Sequence, residues 1–122
     1  MISLDDIRQA RERIGSWIHR TPIFSSATFS RMAGNEVYLK AENLQKSGAF
    51  KFRGAMNFML SMSDDERKRG VVTGSSGNHG QALACAAKLL GVKAVVVVPL
   101  DASPAKVAAI EGYGAKVERC GH

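Results

Sequence analysis

Lys51 has the strongest chemical setting in this sequence. It stands in Ser47-Gly48-Ala49-Phe50-Lys51-Phe52-Arg53-Gly54-Ala55, between two phenylalanines and just after a glycine turn. A protonated amine is a poor nucleophile, and apolar neighbours disfavour the charged form. An amine freed in this way suits Schiff-base chemistry. A plainer reading stands beside it. A lysine near a helix start is usually a solvated charge, and Phe50 and Phe52 can be core residues and nothing more.

A second segment, Thr73-Gly74-Ser75-Ser76-Gly77-Asn78-His79-Gly80, follows a predicted strand and opens a predicted helix. Helix N-termini present free backbone N–H groups and the positive end of a dipole, so this loop can bind a carboxylate or phosphate. In open parallel sheets, ligands sit beyond the carboxyl ends of the strands, where this loop lies. The glycines at 74, 77 and 80 do not match the dinucleotide fingerprint, and no Lys-Ser/Thr pair makes a P-loop. On spacing alone, an anion site and a merely tight turn are equally good readings. His79 alone reads as a helix-start hydrogen bonder, and no second histidine or cysteine lies near it at metal-ligand spacing.

The elements that position these residues follow from pattern. Ser3 caps a first helix with Asp5 and Asp6 at its positive end, and Gly15 closes it. His19 to Pro22 is extended, because a residue before proline avoids the helical region. Ser25 or Ser26 starts a short helix that stops at Gly34. Residues 36–42 alternate as a strand, with Val37, Leu39 and Ala41 on one face. A polar irregular stretch, 43–48, leads to a helix over 50–61. Ser63-Asp64-Asp65-Glu66 has capping-box spacing and opens another. From Gly70 the rhythm is regular: strand 71–73, loop 75–80, helix 81–90, strand 93–99, helix from Ser103-Pro104 to Tyr113, strand 115–119. Ser103 is the expected N-cap, with Pro104 at the first helical position. Strand–helix–strand–helix–strand with short links predicts a parallel sheet with flanking helices, a three-layer α/β architecture. The chain stops just after the third strand, which leaves an uncovered parallel edge and predicts that more chain follows.

Bulk properties narrow the alternatives. The 122 residues suit one domain or part of a larger one, and a hydrophobic fraction of 45% excludes general disorder. The net charge of +6 is dispersed and carries no nucleic-acid motif. Arg67, Lys68 and Arg69 cluster, but they follow Asp64, Asp65 and Glu66, as on a solvated helix. Cys85 and Cys120 make no disulfide framework. Cys85 reads as a small buried side chain, and reduced thiols fit a cytoplasmic protein. Met1 to Arg11 does not resemble a signal peptide, and the apolar run from Ala94 to Leu100 is too short to cross a membrane.

Taken together, the lysine segment and Ser75-Ser76-Gly77-Asn78-His79-Gly80-Gln81-Ala82 resemble the signatures of the fold-type II pyridoxal-phosphate enzymes, in the serine/threonine dehydratase and serine racemase branch. His19-Arg20-Thr21-Pro22, Lys40-Ala41-Glu42-Asn43-Leu44-Gln45, residues 99–106 and Tyr113-Gly114-Ala115 match that branch in order and spacing. The resemblance covers essentially the whole chain. Cysteine synthases and threonine synthases typically carry Lys-Asp-Arg where this chain has Lys51-Phe52-Arg53.

The resemblance implies a cofactor, pyridoxal 5'-phosphate, and a role for each matching residue. Lys51 forms the internal aldimine and moves protons on one face of the cofactor. Phe50 packs against the ring, and Asn78 hydrogen-bonds its 3′ oxygen. Ser75, Ser76, Gly77, Asn78 and His79 hold the substrate carboxylate. Ser76 faces the substrate from the side opposite Lys51, where a second base permits racemisation. No metal ligand falls within these residues. The implied reaction is β-elimination from L-serine or L-threonine, giving a 2-oxo acid and ammonia. Racemisation or β-replacement is the alternative, and a non-catalytic binding module made of half the fold is another. The resemblance further implies that residues 1–47 belong to a large domain and 48–122 to a smaller α/β domain. Relatives carry a phosphate-cradling glycine loop further along, so the 122 residues alone are expected to be inactive. The complete protein is expected to be a homo-oligomer, a dimer or tetramer, acting on a small amino acid without nucleic acid or membrane.

Overall fold

The computed structural model describes residues 1–121. It opens with α1 (Leu4–Ile14), β1 (Ile23–Ser25), α2 (Ala27–Ala33) and β2 (Tyr38–Lys40). A short 3₁₀ turn, Glu42–Leu44, leads to α3 (Lys51–Ser61) and α4 (Asp64–Arg69). The remainder is β3 (Val71–Gly74), α5 (Asn78–Leu90), β4 (Ala94–Val98), α6 (Pro104–Gly112) and β5 (Lys116–Arg119). Strands β3, β4 and β5 form a parallel sheet in that order, and β1 pairs antiparallel with β2. The architecture is the α/β parallel sheet with flanking helices that the pattern predicts.

Local chemistry explains most boundaries. In α1 and α4 the capping serines, Ser3 and Ser63, accept from the third helical N–H, while Asp6 and Glu66 reach back to the serine N–H. These complete capping boxes hold both carboxyls below the usual carboxylate range, chiefly through the serine backbone N–H. Ser26 caps α2. Ser103 precedes α6 with Pro104 in the first turn, as expected, but its hydroxyl makes no cap bond.

Three expectations shift. A short strand, β1, occupies 23–25 ahead of the predicted helix, and the predicted strand 36–42 keeps only Tyr38–Lys40. The two hold each other in a three-residue antiparallel ladder. In addition, α5 begins at Asn78, three residues before Gln81. Asn78, His79 and Gly80 are therefore helical.

The core forms where α5 is enclosed. Residues 82–87 of this helix are all buried, and all but Leu83 and Cys85 are alanine. Small side chains let neighbours approach from several sides. The face of β4 carrying Ala94, Val96 and Val98 is buried against the helices. The opposite face of the sheet carries Val95 and Val97 from β4 and Val72 from β3, and Val72 is 71% exposed. On another side of α5 lies α3, which contributes Phe52, Met56 and Met59, each fully buried, and α1 packs on α3 in turn. This α3–α5 packing brings the starts of the two helices together, and both chemically suggestive segments lie at those starts.

Candidate active site

Lys51 is the first residue of α3, and no side chain caps this helix. The approach to it is conformationally unusual. Ser47 and Gly48 are consecutive left-handed residues, with φ of 53° and 70°. Glycine takes that region freely, whereas serine does so at a cost. The backbone then turns into α3 through Ala49 and Phe50.

Of the two phenylalanines that flank Lys51 in sequence, one joins the core and the other stays beside the lysine. Phe52 turns into the core and is fully buried, while Phe50 is 58% exposed and Lys51 is exposed. The helix explains the difference. Adjacent residues point about 100° apart, so two phenylalanines flanking one position cannot both face it. Phe50 alone stays with the lysine, whose Nζ lies 5.0 Å from the centre of its ring.

The second segment meets the first. A cleft of about 330 Å³ is lined by Phe50, Lys51, Arg53, Gly54, Ala55 and His79. It brings together three residues singled out from sequence: Lys51, Phe50 and His79. Ser75, Ser76, Gly77 and Asn78 do not line this cleft, although they precede His79 on the same β3–α5 connection. Asn78 opens α5, and Gly77 is its N-cap.

The start of α5 has the properties of an anion site. No side chain caps it and no acid lies in its first turn. The Ser75 hydroxyl turns inward to accept from the Gly77 N–H at 3.3 Å, which tightens the loop. Gly80 is required by close approach. A Cβ there would collide with the Ser75 carbonyl oxygen and lie 3.1 Å from Val96 and 3.3 Å from Ile110. The loop can therefore fold back over the helix start only if residue 80 has no side chain.

A polar network behind Lys51 was not anticipated. Arg53 grips Glu42 with two parallel bonds, Nε to Oε2 at 2.8 Å and Nη2 to Oε1 at 2.7 Å. The Thr21 hydroxyl donates to the same carboxylate, and Lys40 Nζ donates to the Thr21 carbonyl at 2.7 Å. The Arg53 guanidinium holds the Glu42 carboxyl down at about 2, against the opposing effect of burial. Gln45, 4% exposed, clamps both backbone groups of His19 at 2.9 Å each. One sequence signal could have found it: Glu42 ends an alternating strand and Gln45 sits three residues on, both polar where the backbone must turn inward.

The donor set suits pyridoxal phosphate. It offers an amine for a carbonyl carbon, an aromatic face beside it, an amide at the head of α5 and uncapped N–H groups for an anion. A family profile described as pyridoxal-phosphate dependent enzyme matches residues 14–122. The chain belongs to this family. Its cofactor is pyridoxal 5'-phosphate. Relatives in this family include a serine racemase from Dictyostelium discoideum, 52% identical over 119 residues, which are 98% of this chain and 37% of the relative. An L-threo-3-hydroxyaspartate ammonia-lyase from Saccharomyces cerevisiae is 48% identical over 114 residues, 93% of this chain and 35% of that protein. The crystal structure of the Dictyostelium discoideum serine racemase superimposes with a TM-score of 0.93 at 52% identity, covering 98% of this chain and 39% of that one. The chain thus spans little more than a third of the length of these relatives.

Proposed function

We propose that the full-length protein removes ammonia from a small hydroxy-amino acid such as L-serine or L-threonine, with Lys51 as the residue that carries the cofactor. The observation behind this reading is the cleft that joins Lys51 and Phe50 to His79 beside the uncapped start of α5. Pyridoxal phosphate, when bound, supplies an electron sink for the carbon that bears the amino group.

The chain's own residues do the rest. Phe50 would offer its ring as a stacking face for the cofactor. Asn78, at the head of α5, would hold it with its amide. The α5 start, with Ser75, Ser76, Gly77, Asn78 and His79, binds the substrate carboxylate, because its N–H groups and dipole favour an anion. Lys51 Nζ takes the α-proton on one face and returns a proton to the departing β-hydroxide, which leaves as water. The released enamine is then hydrolysed by water to a 2-oxo acid and ammonia. One basic face suffices for elimination.

Racemisation is the second reading. It requires a proton donor on the face opposite Lys51, and Ser76 is the residue proposed for it. The Ser75-Ser76 pair and the 52% identity to a serine racemase favour it.

One experiment separates the two. The full-length protein with pyridoxal phosphate is given L-serine and L-threonine, and 2-oxo acid and D-amino acid are both quantified. Release of pyruvate or 2-oxobutanoate is the expected outcome. D-serine accumulating without 2-oxo acid would establish the second reading, and no change in either substrate would refute both.

A further inference from the structure

Lys51 begins a helix that nothing caps, and the residues before it pass through a left-handed turn at Ser47 and Gly48. That turn is tied to the network side by one backbone bond, from the Gly48 N–H to the Gln45 carbonyl at 2.8 Å. Beyond this bond, the N-terminal side of α3 is held by the buried Ala49. The C-terminal side has a different anchor. Arg53, two residues after Lys51, reaches back across the turn to the Glu42 carboxylate.

The anchor is itself held rigidly. Both side chains are partly buried, 29% exposed for Arg53 and 16% for Glu42. Glu42 also receives the Thr21 hydroxyl, and Thr21 is 4% exposed. The Thr21 carbonyl receives Lys40 from β2, and Gln45 locks residue 19 onto the 3₁₀ turn. Two extended segments and the 3₁₀ turn therefore form one hydrogen-bonded block, and Arg53 fastens the first turn of α3 to it. A bidentate guanidinium–carboxylate pair fixes orientation as well as distance, which a lysine in its place cannot do. Arg53 also lines the same cleft as Lys51.

We propose that the Glu42–Arg53 pair is a positioning device for Lys51: it sets where the amine stands relative to the start of α5. Glu42 lies outside the cleft, and the Arg53 guanidinium is turned onto Glu42. Their effect passes through the first turn of α3, where a displacement of about 1 Å is enough to cost on the order of a hundredfold in rate. This inference rests on the reading of Lys51 as the cofactor-bearing lysine.

The test uses the full-length protein and four single variants: Glu42→Ala, Glu42→Gln, Arg53→Met and Arg53→Lys. Three quantities are measured well below each variant's melting temperature. They are kcat and KM for L-serine, and the rate at which the visible absorbance of lysine-linked cofactor grows when pyridoxal phosphate is added to the apo protein. Glu42→Ala and Arg53→Met are expected to lower kcat and the linking rate at least tenfold, with KM moving less than threefold. Glu42→Gln, which keeps an acceptor, is expected to recover part of both, and Arg53→Lys, which keeps charge without the fork, recovers less. The double variant Glu42→Ala/Arg53→Met is expected to lose no more than the worse single one, because the pair acts as a unit. Should a variant fail to fold, Glu42→Gln and Arg53→Lys carry the test.

Unchanged kcat and linking rate in folded variants, with only the melting temperature lowered, would overturn the proposal. Lys51→Ala separates this from failure of the underlying reading. If Lys51→Ala loses the lysine-linked absorbance while the Glu42 and Arg53 variants are silent, only the positioning role falls. If Lys51→Ala keeps that absorbance after dialysis, the assignment of Lys51 itself falls.

Discussion

The helix starts of this chain fall into two groups. Helices α1, α2 and α4 open on serines whose hydroxyls accept from the first turn, and α1 and α4 complete the capping box. Helices α3 and α5 open on Phe50 and Gly77, which cap nothing; α6 is also uncapped at Ser103 but carries none of the proposed residues and stands outside both groups. The first group is stabilised locally and carries none of the residues proposed for the site. The second group bears Lys51, Asn78 and His79, and it is held by tertiary contacts instead: Phe52 in the core, Gly80 against Ser75, and Arg53 on Glu42. The difference teaches where free donors are kept. A capping side chain occupies a first-turn N–H group, whereas the start of α5 leaves its N–H groups open to a ligand.

The largest test of that contrast lies in the two phenylalanines flanking Lys51. Phe52→Ala empties a fully buried position and is expected to cost about 3–5 kcal/mol in urea unfolding. Phe50→Ala, at an exposed position, is expected to change stability by less than about 0.5 kcal/mol. Equal costs would mean that α3 is not anchored through Phe52.

Gly77→Asp gives α5 the cap it lacks. Gly77 has extended backbone angles and open space where a Cβ would go, so the substitution fits. The fold is expected to survive, with stability changed by a few tenths of a kcal/mol, roughly the difference between these residues as caps. A carboxylate now occupies the helix start, so KM for an amino-acid substrate should rise at least tenfold. An unchanged KM would show that the carboxylate binds elsewhere.

A smaller effect follows from Glu42. Its carboxyl sits at about 2 in the folded chain against an ordinary 4.5. A depressed folded value means that its stabilising contribution is present above 4.5 and is lost as the pH falls toward 2. Glu42→Gln should flatten the fall in stability across that window, as read from unfolding midpoints at a series of pH values. The same slope in both proteins would argue against the pair.

The smallest expected effect is in the capped group. Ser26→Ala removes one N-cap and should cost about 1 kcal/mol without altering kcat.

These two groups were not equally legible in the sequence. Caps are local, so Ser3 and Ser63 could be read three residues from their partners. The parallel unit was equally plain, because β4 is a continuous run of small and branched apolar residues between two glycine-bounded helices. The start of α5 is harder to read, since Asn78-His79-Gly80 has the composition of a loop and only the packing of Gly80 against Ser75 and Val96 draws it into the helix. The Glu42–Arg53 pair spans 11 residues and a left-handed turn, a separation that no periodicity reports. The surroundings of Lys51 are hidden for a related reason: neighbours along the chain are not neighbours in space, and on a helix Phe52 points into the core.

The most direct test of the account asks which amine holds the cofactor. The full-length protein is loaded with pyridoxal phosphate, reduced with borohydride, digested and mapped by mass spectrometry. The expected result is a single pyridoxylated site at Lys51. A stoichiometric modification at another lysine, with Lys51 unmodified, would contradict the account.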